Sequence, residues 1–199
     1  MTAPKRHRFA LNARSTRGCI RPHPRITMLI GDKVCLGPVL QGDAPLMFSW
    51  TNNFDLVRSN GPYRPTDEAK FNDWFAGVGR DPGRVVFAMR KQGDLRLLGY
   101  VQIVNIQAAS RIAEIGVLVG NPLDQNQGYG QEAMRMAVDF SWRSLNLQRL
   151  SLWVIGDNPR AVHVYGKAGF QVEGVMLRAA YVDGRYQDVT VMGVLRSGD

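Results

Sequence analysis

One decapeptide constrains this chain more than any other stretch: Gln125-Asn126-Gln127-Gly128-Tyr129-Gly130-Gln131-Glu132-Ala133-Met134. Ahead of it, Arg111 to Val119 reads as a strand. Behind it, Met134, Val138, Trp142 and Leu145 recur at helical spacing, with Ala133, Ala137 and Phe140 beside them. The two glycines therefore stand where a strand gives way to a helix. The first turn of a helix carries backbone N–H groups without intrahelical partners and a partial positive charge. Glycine lets a ligand approach that backbone with no Cβ in the way. Together these features make a phosphate site. Without a ligand, the same residues are a glycine turn before an ordinary helix.

Other phosphate loops fit poorly. No Gly-Lys-Ser/Thr ending follows the glycines, so this is not a nucleoside-triphosphate loop. The dinucleotide pattern G-x-G-x-x-G meets Ala133 at its third place, and the stretch lies in the second half of the chain rather than after a first strand. What remains is Gln125-x-x-Gly128-x-Gly130.

The rest of the chain supplies the context. Its 199 residues suit one domain with a proper core, and 45% hydrophobic with 21% charged residues is the balance of a soluble globular protein. No apolar run approaches the roughly 18–20 residues that span a bilayer, so no membrane partner is expected. Cys19 and Cys35 have no CxxC spacing, and the histidines, His7, His23 and His163, show no ligand spacing. Neither a zinc site nor a disulfide framework is implied, and a reducing cytoplasm is compatible.

The net charge of +8 is misleading, because Lys5, Arg6, Arg8, Arg14, Arg17, Arg21 and Arg25 place seven of those units in residues 1–26, which hold no acid, and leave +1 for the remainder. Residues 1–26, basic and with Pro4, Pro22 and Pro24, read as a disordered tail. A nucleic-acid or membrane-surface arm, a targeting peptide, and a start of translation at Met28 are the three readings of it. Nucleic acid is expected to bind, if at all, only through this tail. Residues 27–199 read as one domain.

Within that domain, residues 33–40 read as a first strand ended by Pro38 and Gly42. Asp43 caps a short helix through Trp50, and Thr51 to Pro65 is a loop. A second helix opens at Thr66-Asp67-Glu68-Ala69, with Phe71, Trp74, Phe75 and Val78 as its apolar stripe. Arg84 to Lys91 and Leu95 to Ile106 make a hairpin about Gln92-Gly93-Asp94, with Gly99 a candidate bulge. Arg149 to Ile155 is a strand that follows a helix and can lie parallel to the strand before the glycine loop. Asp157 or Asn158 caps a helix over Arg160 to Ala168, with Pro159 in its first turn and Gly169 after its end. Phe170 to Val182 and Arg185 to Leu195 form a last hairpin about Asp183-Gly184. The order is β-α-α-β-β-β-α-β-α-β-β, a mixed α/β (α+β) architecture that is mostly antiparallel with one parallel pair.

The glycine stretch resembles the pyrophosphate loop of the GCN5-related N-acetyltransferases (GNAT), and Asn158-x-x-Ala161-x-x-x-Tyr165-x-Lys167-x-Gly169-Phe170 is similar to the second coenzyme-A motif of that family. The two occur in the family's order, and the element order matches over residues 30–196. Tyr181-Val182-Asp183-Gly184-Arg185-Tyr186-Gln187-Asp188-Val189 and Ser49-Trp50-Thr51-Asn52-Asn53 resemble the ribosomal-protein (Rim-type) and spermidine acetyltransferases. One departure stands out. Many relatives carry Trp-Gly-Lys-Gly in the loop, where this chain has Gln125-Asn126-Gln127-Gly128, so phosphate binding must rest more on backbone N–H groups.

The resemblance implies a GNAT fold: a twisted sheet of about seven strands with one splayed parallel pair and about four helices. It implies acetyl-CoA as cofactor and an amine acceptor, with direct attack in a ternary complex. Leu118, Val119, Gln125, Asn126, Gln127, Gly128, Tyr129, Gly130, Gln131, Asn158, Tyr165 and Lys167 would hold the cofactor. Backbone N–H groups of Leu118 or Val119 would polarise the thioester carbonyl. Tyr165 would protonate the thiolate, a suitable task for a phenol; otherwise it packs and makes a structural hydrogen bond. An alkyl ammonium holds its proton to a pH near 10, so attack needs a base. Glu114, the single acid of an apolar strand, is the candidate, acting through water; otherwise it is an outward-facing carboxylate.

For the acceptor, Trp50, Phe54, Tyr63 and Tyr181 are groove candidates, with core packing the alternative for each. A polyamine would want an acidic groove, and Asp43, Asp55, Asp67, Glu68 and Asp73 do not cluster along the chain, which favours a peptide N-terminus or small-molecule amine. Another acyl donor such as succinyl-CoA, a polyamine acceptor, and a non-catalytic CoA-binding regulatory module are the competing readings. A homodimer is the expected assembly.

Overall fold

A computed structural model describes residues 28–58, 61 and 63–198. The three readings of the basic tail at 1–26 lie outside the described residues.

Eight strands form one sheet in the order β1-β2-β3-β4-β5-β6-β8-β7. They are β1 (Leu29–Ile30), β2 (Val34–Gly37), β3 (Val85–Lys91), β4 (Leu97–Gln107), β5 (Ile112–Val119), β6 (Arg149–Ile155), β7 (Gln171–Val182) and β8 (Arg185–Leu195). The helices are α1 (Ala44–Thr51), α2 (Phe54–Val57), α3 (Glu68–Gly77), α4 (Tyr129–Arg143) and α5 (Pro159–Gly166). Every neighbouring pair is antiparallel except β5 and β6, which are parallel because α4 carries the chain back across the sheet between them. This is the expected mixed sheet, with one strand and one helix more than the sequence pattern predicts.

The two faces of the sheet are covered by different helices. On one, α4 lays down Ala133, Met134, Ala137 and Val138 against Val101, Ile103, Ile115, Leu150 and Leu152. Fully burying a side chain such as Met134 stabilises by about 1.5–3 kcal/mol. On the other, α1 and α3 pack Met47, Trp50 and Phe71 on Ala88, Leu97 and Leu118. Phe71 meets Phe48 edge-on at 5.2 Å and Trp74 at 5.6 Å, so the aromatic stripe of α3 is core, as its spacing predicts.

Local sequence explains most element ends. β2 stops ahead of Pro38, which cannot donate to a ladder. Asp67 caps α3 by accepting from Lys70 N at 2.8 Å. Asp183 (φ 51°) and Gly184 (φ 74°) supply the two left-handed residues of the last turn.

Two expectations need correcting. Asp43 sits at the start of α1, but its side chain makes no cap there. It is buried, accepting from Leu40 N at 2.8 Å and from Arg90 Nη2 at 2.7 Å, because a buried carboxylate needs a charged partner more than a helix end needs a cap. Gly99 is not the bulged residue: the register of β3 on β4 slips where Met89 faces Gly99 and Arg90 faces Leu97, leaving Leu98 extra. Gly99 answers a close approach instead, since a Cβ there would lie 1.9 Å from the carbonyl oxygen of Leu118.

Candidate functional site

β5 and β6 pair only at Ile112–Arg149, Ala113–Leu150 and Glu114–Ser151. Beyond those rungs each keeps to its outer neighbour, β5 to β4 as far as Val119 and β6 to β8 as far as Ile155. The two strands therefore part, and their facing backbone groups are left free for a ligand. A cleft of about 480 Å³ opens there, walled by Val117, Leu118 and Val119 of β5, the glycine loop, and the first turns of α5.

The loop is held from three sides. At its start, Arg96 grips Asp124 through two bonds of 2.7 and 2.9 Å, and this guanidinium holds the Asp124 carboxyl below the usual carboxylate range. In its middle, Asn126 (φ 64°) and Gly128 (φ 82°) take left-handed conformations, which reverse the chain and bring Gly128 to the N-cap of α4. Behind it, Lys33 Nζ, from the turn between β1 and β2, donates to the carbonyl of Gln127 at 3.0 Å. That turn is tied to α4 by Glu132, whose carboxylate accepts from the backbone N–H groups of Asp32, Lys33 and Val34 at 2.7, 2.8 and 3.1 Å.

Across the cleft, Asn158 caps α5, its Oδ1 accepting from Ala161 N at 3.0 Å. Tyr165 lies seven residues, two helical turns, further along the same face. Its ring packs edge-on against Phe170 at 6.2 Å, and burial pushes the phenol up from its ordinary pKa, so it is a protonated donor at neutral pH.

Of the residues singled out for the cofactor, Leu118, Val119, Gln125, Asn126, Gly128, Tyr129, Gly130, Gln131, Asn158 and Tyr165 all line this one cleft. Gln127 and Lys167 do not. Gln127 turns its carbonyl back to Lys33, and Lys167, the exposed residue just past the end of α5, is not among the lining residues although Tyr165, two residues before it, is.

Glu114 lies outside the cleft as well. A Cβ on Gly130 would touch Val119 and Val117, so those side chains face α4, and Glu114, Gly116 and Leu118 point to the opposite face. There Glu114 stands at the last paired rung before the strands part, accepting from Asn105 Nδ2 at 3.0 Å in a polar recess with Arg84 and Asp81.

The four groove aromatics do not come together. Trp50 is core: 6% exposed, its indole occupies the space in which a Cβ on Gly120 would lie 1.9 Å away. Phe54 and Tyr63 stack edge-on at 5.6 Å beside the cleft rather than in it. Tyr181 is 55% exposed on β7, paired with Tyr186 at 5.0 Å. Among the acids, Asp55 reaches the cleft, together with Leu56. Both ride on α2, which is too short at four residues to show a helical period. Arg160, Ala161 and Val164 also line it; Ala161, three residues after Asn158 and four before Tyr165, shares their helix face, a spacing that marks it, whereas Arg160 and Val164 carry no such mark in the sequence.

Comparison with known proteins gives the family and the fold. The family described as "Acetyltransferase (GNAT) domain" matches residues 33–171. A spermidine N(1)-acetyltransferase of Vibrio cholerae serotype O1 is 37% identical over 101 residues, 51% of this chain and 58% of that one. The corresponding enzyme of Escherichia coli K12 is 33% identical over 98 residues, 49% of this chain and 52% of that one. The chain thus spans about half the length of these curated relatives. A solved spermidine N-acetyltransferase from Vibrio cholerae, in complex with CoA and spermine, superposes with a TM-score of 0.77 at 27% identity, over 82% of this chain and 96% of that one. A dodecameric form of that enzyme superposes with a TM-score of 0.70 at 26% identity, over 82% and 94% of the two chains.

Proposed function

The chain belongs to the GNAT acetyltransferase family, and from that premise we propose that it is an acetyl-CoA-dependent N-acetyltransferase acting on a primary amine. The observation that carries this reading is the parting of β5 and β6 with the left-handed Asn126–Gly128 loop at its mouth. The residues fit the cofactor. Backbone N–H groups of residues 126–131 at the N-terminus of α4 suit a pyrophosphate, the free edge of β5 at Val117 and Val119 suits an amide-bearing arm, and Arg160 adds a cation at the rim.

Coenzyme A supplies the acetyl group as a thioester, whose C–S bond breaks as the C–N bond to the acceptor forms. The chain's own residues handle the protons. Glu114 takes the proton of the amine through water, from the acceptor face at the rung where the strands part. Tyr165, held protonated by burial, gives its proton to the departing sulfur and recovers one from solvent. Of the two candidate backbone donors, Leu118 lies in a rung hydrogen-bonded to Tyr100 of β4, so the N–H of Val119, on the free edge, stabilises the oxygen that gains charge.

A narrower reading makes the acceptor a polyamine. It is favoured by the relatives named as spermidine N-acetyltransferases and by the carboxylates of Asp55 at the cleft and Glu114 beyond it. We also infer self-association, at least as a homodimer. β7 is an edge strand exposed along most of its length, with Leu177 77% exposed beside Val172, Val175 and Tyr181, and such an edge is normally covered. Among the described residues no helix is long and apolar enough to cross a membrane. A cytoplasmic setting accords with the buried free thiol of Cys35. The test is thiol release from acetyl-CoA over polyamines, aminoglycosides, amino acids and peptide N-termini. Release with one amine class is expected; none with any acceptor would remove the enzymatic reading.

A further inference from the structure

No basic residue lies between Gln125 and Gln131, yet a cation stands against this loop. Lys33 is 94 residues away in sequence, and its Nζ reaches the Gln127 carbonyl at 3.0 Å, 3.1 Å from where a Cβ on Gly128 would lie. Its arrival is fixed by the turn that carries it. Gly31 N bonds to Val34 O at 2.9 Å, and the next three N–H groups converge on Glu132. A Cβ on Gly31 would come within 2.9 Å of Glu132 Oε1 and 2.8 Å of Met136 Sδ, so the turn sits hard on α4. Glu132 is only 7% exposed and spends its charge on those backbone groups, while Lys33 forms no ion pair with any carboxylate among the described residues. The ammonium therefore keeps its charge for its surroundings, and those are the phosphate loop.

We propose that Lys33 is the positioning cation of the phosphate loop, delivered from the β1–β2 turn by the Glu132 clamp. This rests on the coenzyme-A reading above. Acting through Gln127, Lys33 restrains the left-handed pair at Asn126 and Gly128 so that the N–H groups of the loop stay aimed into the cleft. Its charge also raises the potential felt by a bound pyrophosphate. The occupant is the diphosphate of a nucleotide carrier; the pantetheine arm gains nothing from Lys33.

The experiment is calorimetric titration of coenzyme A into the wild-type chain and the Lys33→Met, Lys33→Arg and Glu132→Gln variants, with kcat and KM for acetyl-CoA and for S-acetylpantetheine. Lys33 is exposed, so its substitution leaves folding intact, and melting curves check this for Glu132→Gln. Lys33→Met is expected to weaken coenzyme-A binding roughly threefold to tenfold, the size of one hydrogen bond to a charged group in partial solvent. KM for acetyl-CoA rises in step while kcat stays the same. Lys33→Arg recovers most of the affinity, Glu132→Gln reproduces the loss, and combining Lys33→Met with Glu132→Gln adds little to either. S-acetylpantetheine, which has no pyrophosphate, is turned over equally by all four. If wild-type protein binds coenzyme A and Lys33→Met binds it equally, or if both thioesters lose equally, the inference falls and the coenzyme-A reading stands. If wild-type protein binds no coenzyme A, both fall.

Discussion

Replacing Tyr165 by Phe separates chemistry from architecture. The ring of Tyr165 packs on Phe170 and against the α4 core, and Phe keeps all of that contact. The hydroxyl makes no hydrogen bond to any described residue, so its removal breaks no protein contact, and stability should move by no more than about 0.5 kcal/mol. The loop and β5, which would hold the cofactor, are untouched, so KM for acetyl-CoA should change little. Turnover is different. General-acid assistance is worth roughly 10²–10⁴-fold, and water admitted to the vacated position would recover part of it, which places the expected loss in kcat near the lower end of that range. The pH profile carries a second signature. A general acid works in its protonated form, and burial raises this phenol above its ordinary value of about 10, so the alkaline fall in kcat due to Tyr165 lies above about pH 10 and disappears in the Phe variant. Steady-state kinetics from pH 6 to the alkaline limit of stability, with a melting curve for each protein, measure all three effects. An unchanged kcat with unchanged stability would refute the assignment and place the acid elsewhere.

Three further outcomes follow from the packing. Gly120→Ala puts a methyl group 1.9 Å from the buried indole of Trp50, an overpacking expected to cost about 1–3 kcal/mol in thermal or urea denaturation; an unaltered melting temperature would mean that Trp50 is not core. The Arg96 guanidinium depresses the Asp124 carboxyl, so the stability due to this pair is present above the ordinary carboxylate range and lost as pH falls. The stability difference between wild type and Asp124→Asn should be flat from pH 5 to 8 and shrink below about pH 4; a difference that grows toward low pH would reverse the argument. Asn158→Ala removes the cap of α5 and should cost about 1 kcal/mol by the same denaturation; no loss would show that the cap carries no stability.

What the sequence made legible, and what it hid, divides along physical lines. The helix behind the glycines, β6, and the last hairpin all announce themselves through local period and turn chemistry: Asn158-Pro159 opens α5 and Asp183-Gly184 turns β7 into β8, where the pattern places them. The four-residue α2 and two-residue β1 are too short to carry a period, and Asp55 was hidden with the first of them. Side-chain destinations were hidden as well. Asp43 reads as a cap until Arg90, 47 residues away, is seen beside it, and Trp50 reads as a groove residue until Gly120 proves to lie beneath it. The loop shows the limit most clearly. Its sequence lacks a lysine, yet Glu132 of α4 draws in a turn some 100 residues upstream and brings Lys33 with it. Pairing across such distances leaves no mark on the local pattern of a single chain.

If the glycine loop is a coenzyme-A pyrophosphate site, Gly128→Glu should lose coenzyme A. At φ 82° a side chain costs about 1–2 kcal/mol in backbone strain, too little to unfold the domain, while the new side chain starts 3.1 Å from Lys33 Nζ and its carboxylate sets a negative charge at the N-terminus of α4, against a bound pyrophosphate. Calorimetry should show coenzyme A binding to the wild-type chain and none to Gly128→Glu, with both proteins folded by circular dichroism. Equal affinity in the two proteins would contradict the assignment of the loop.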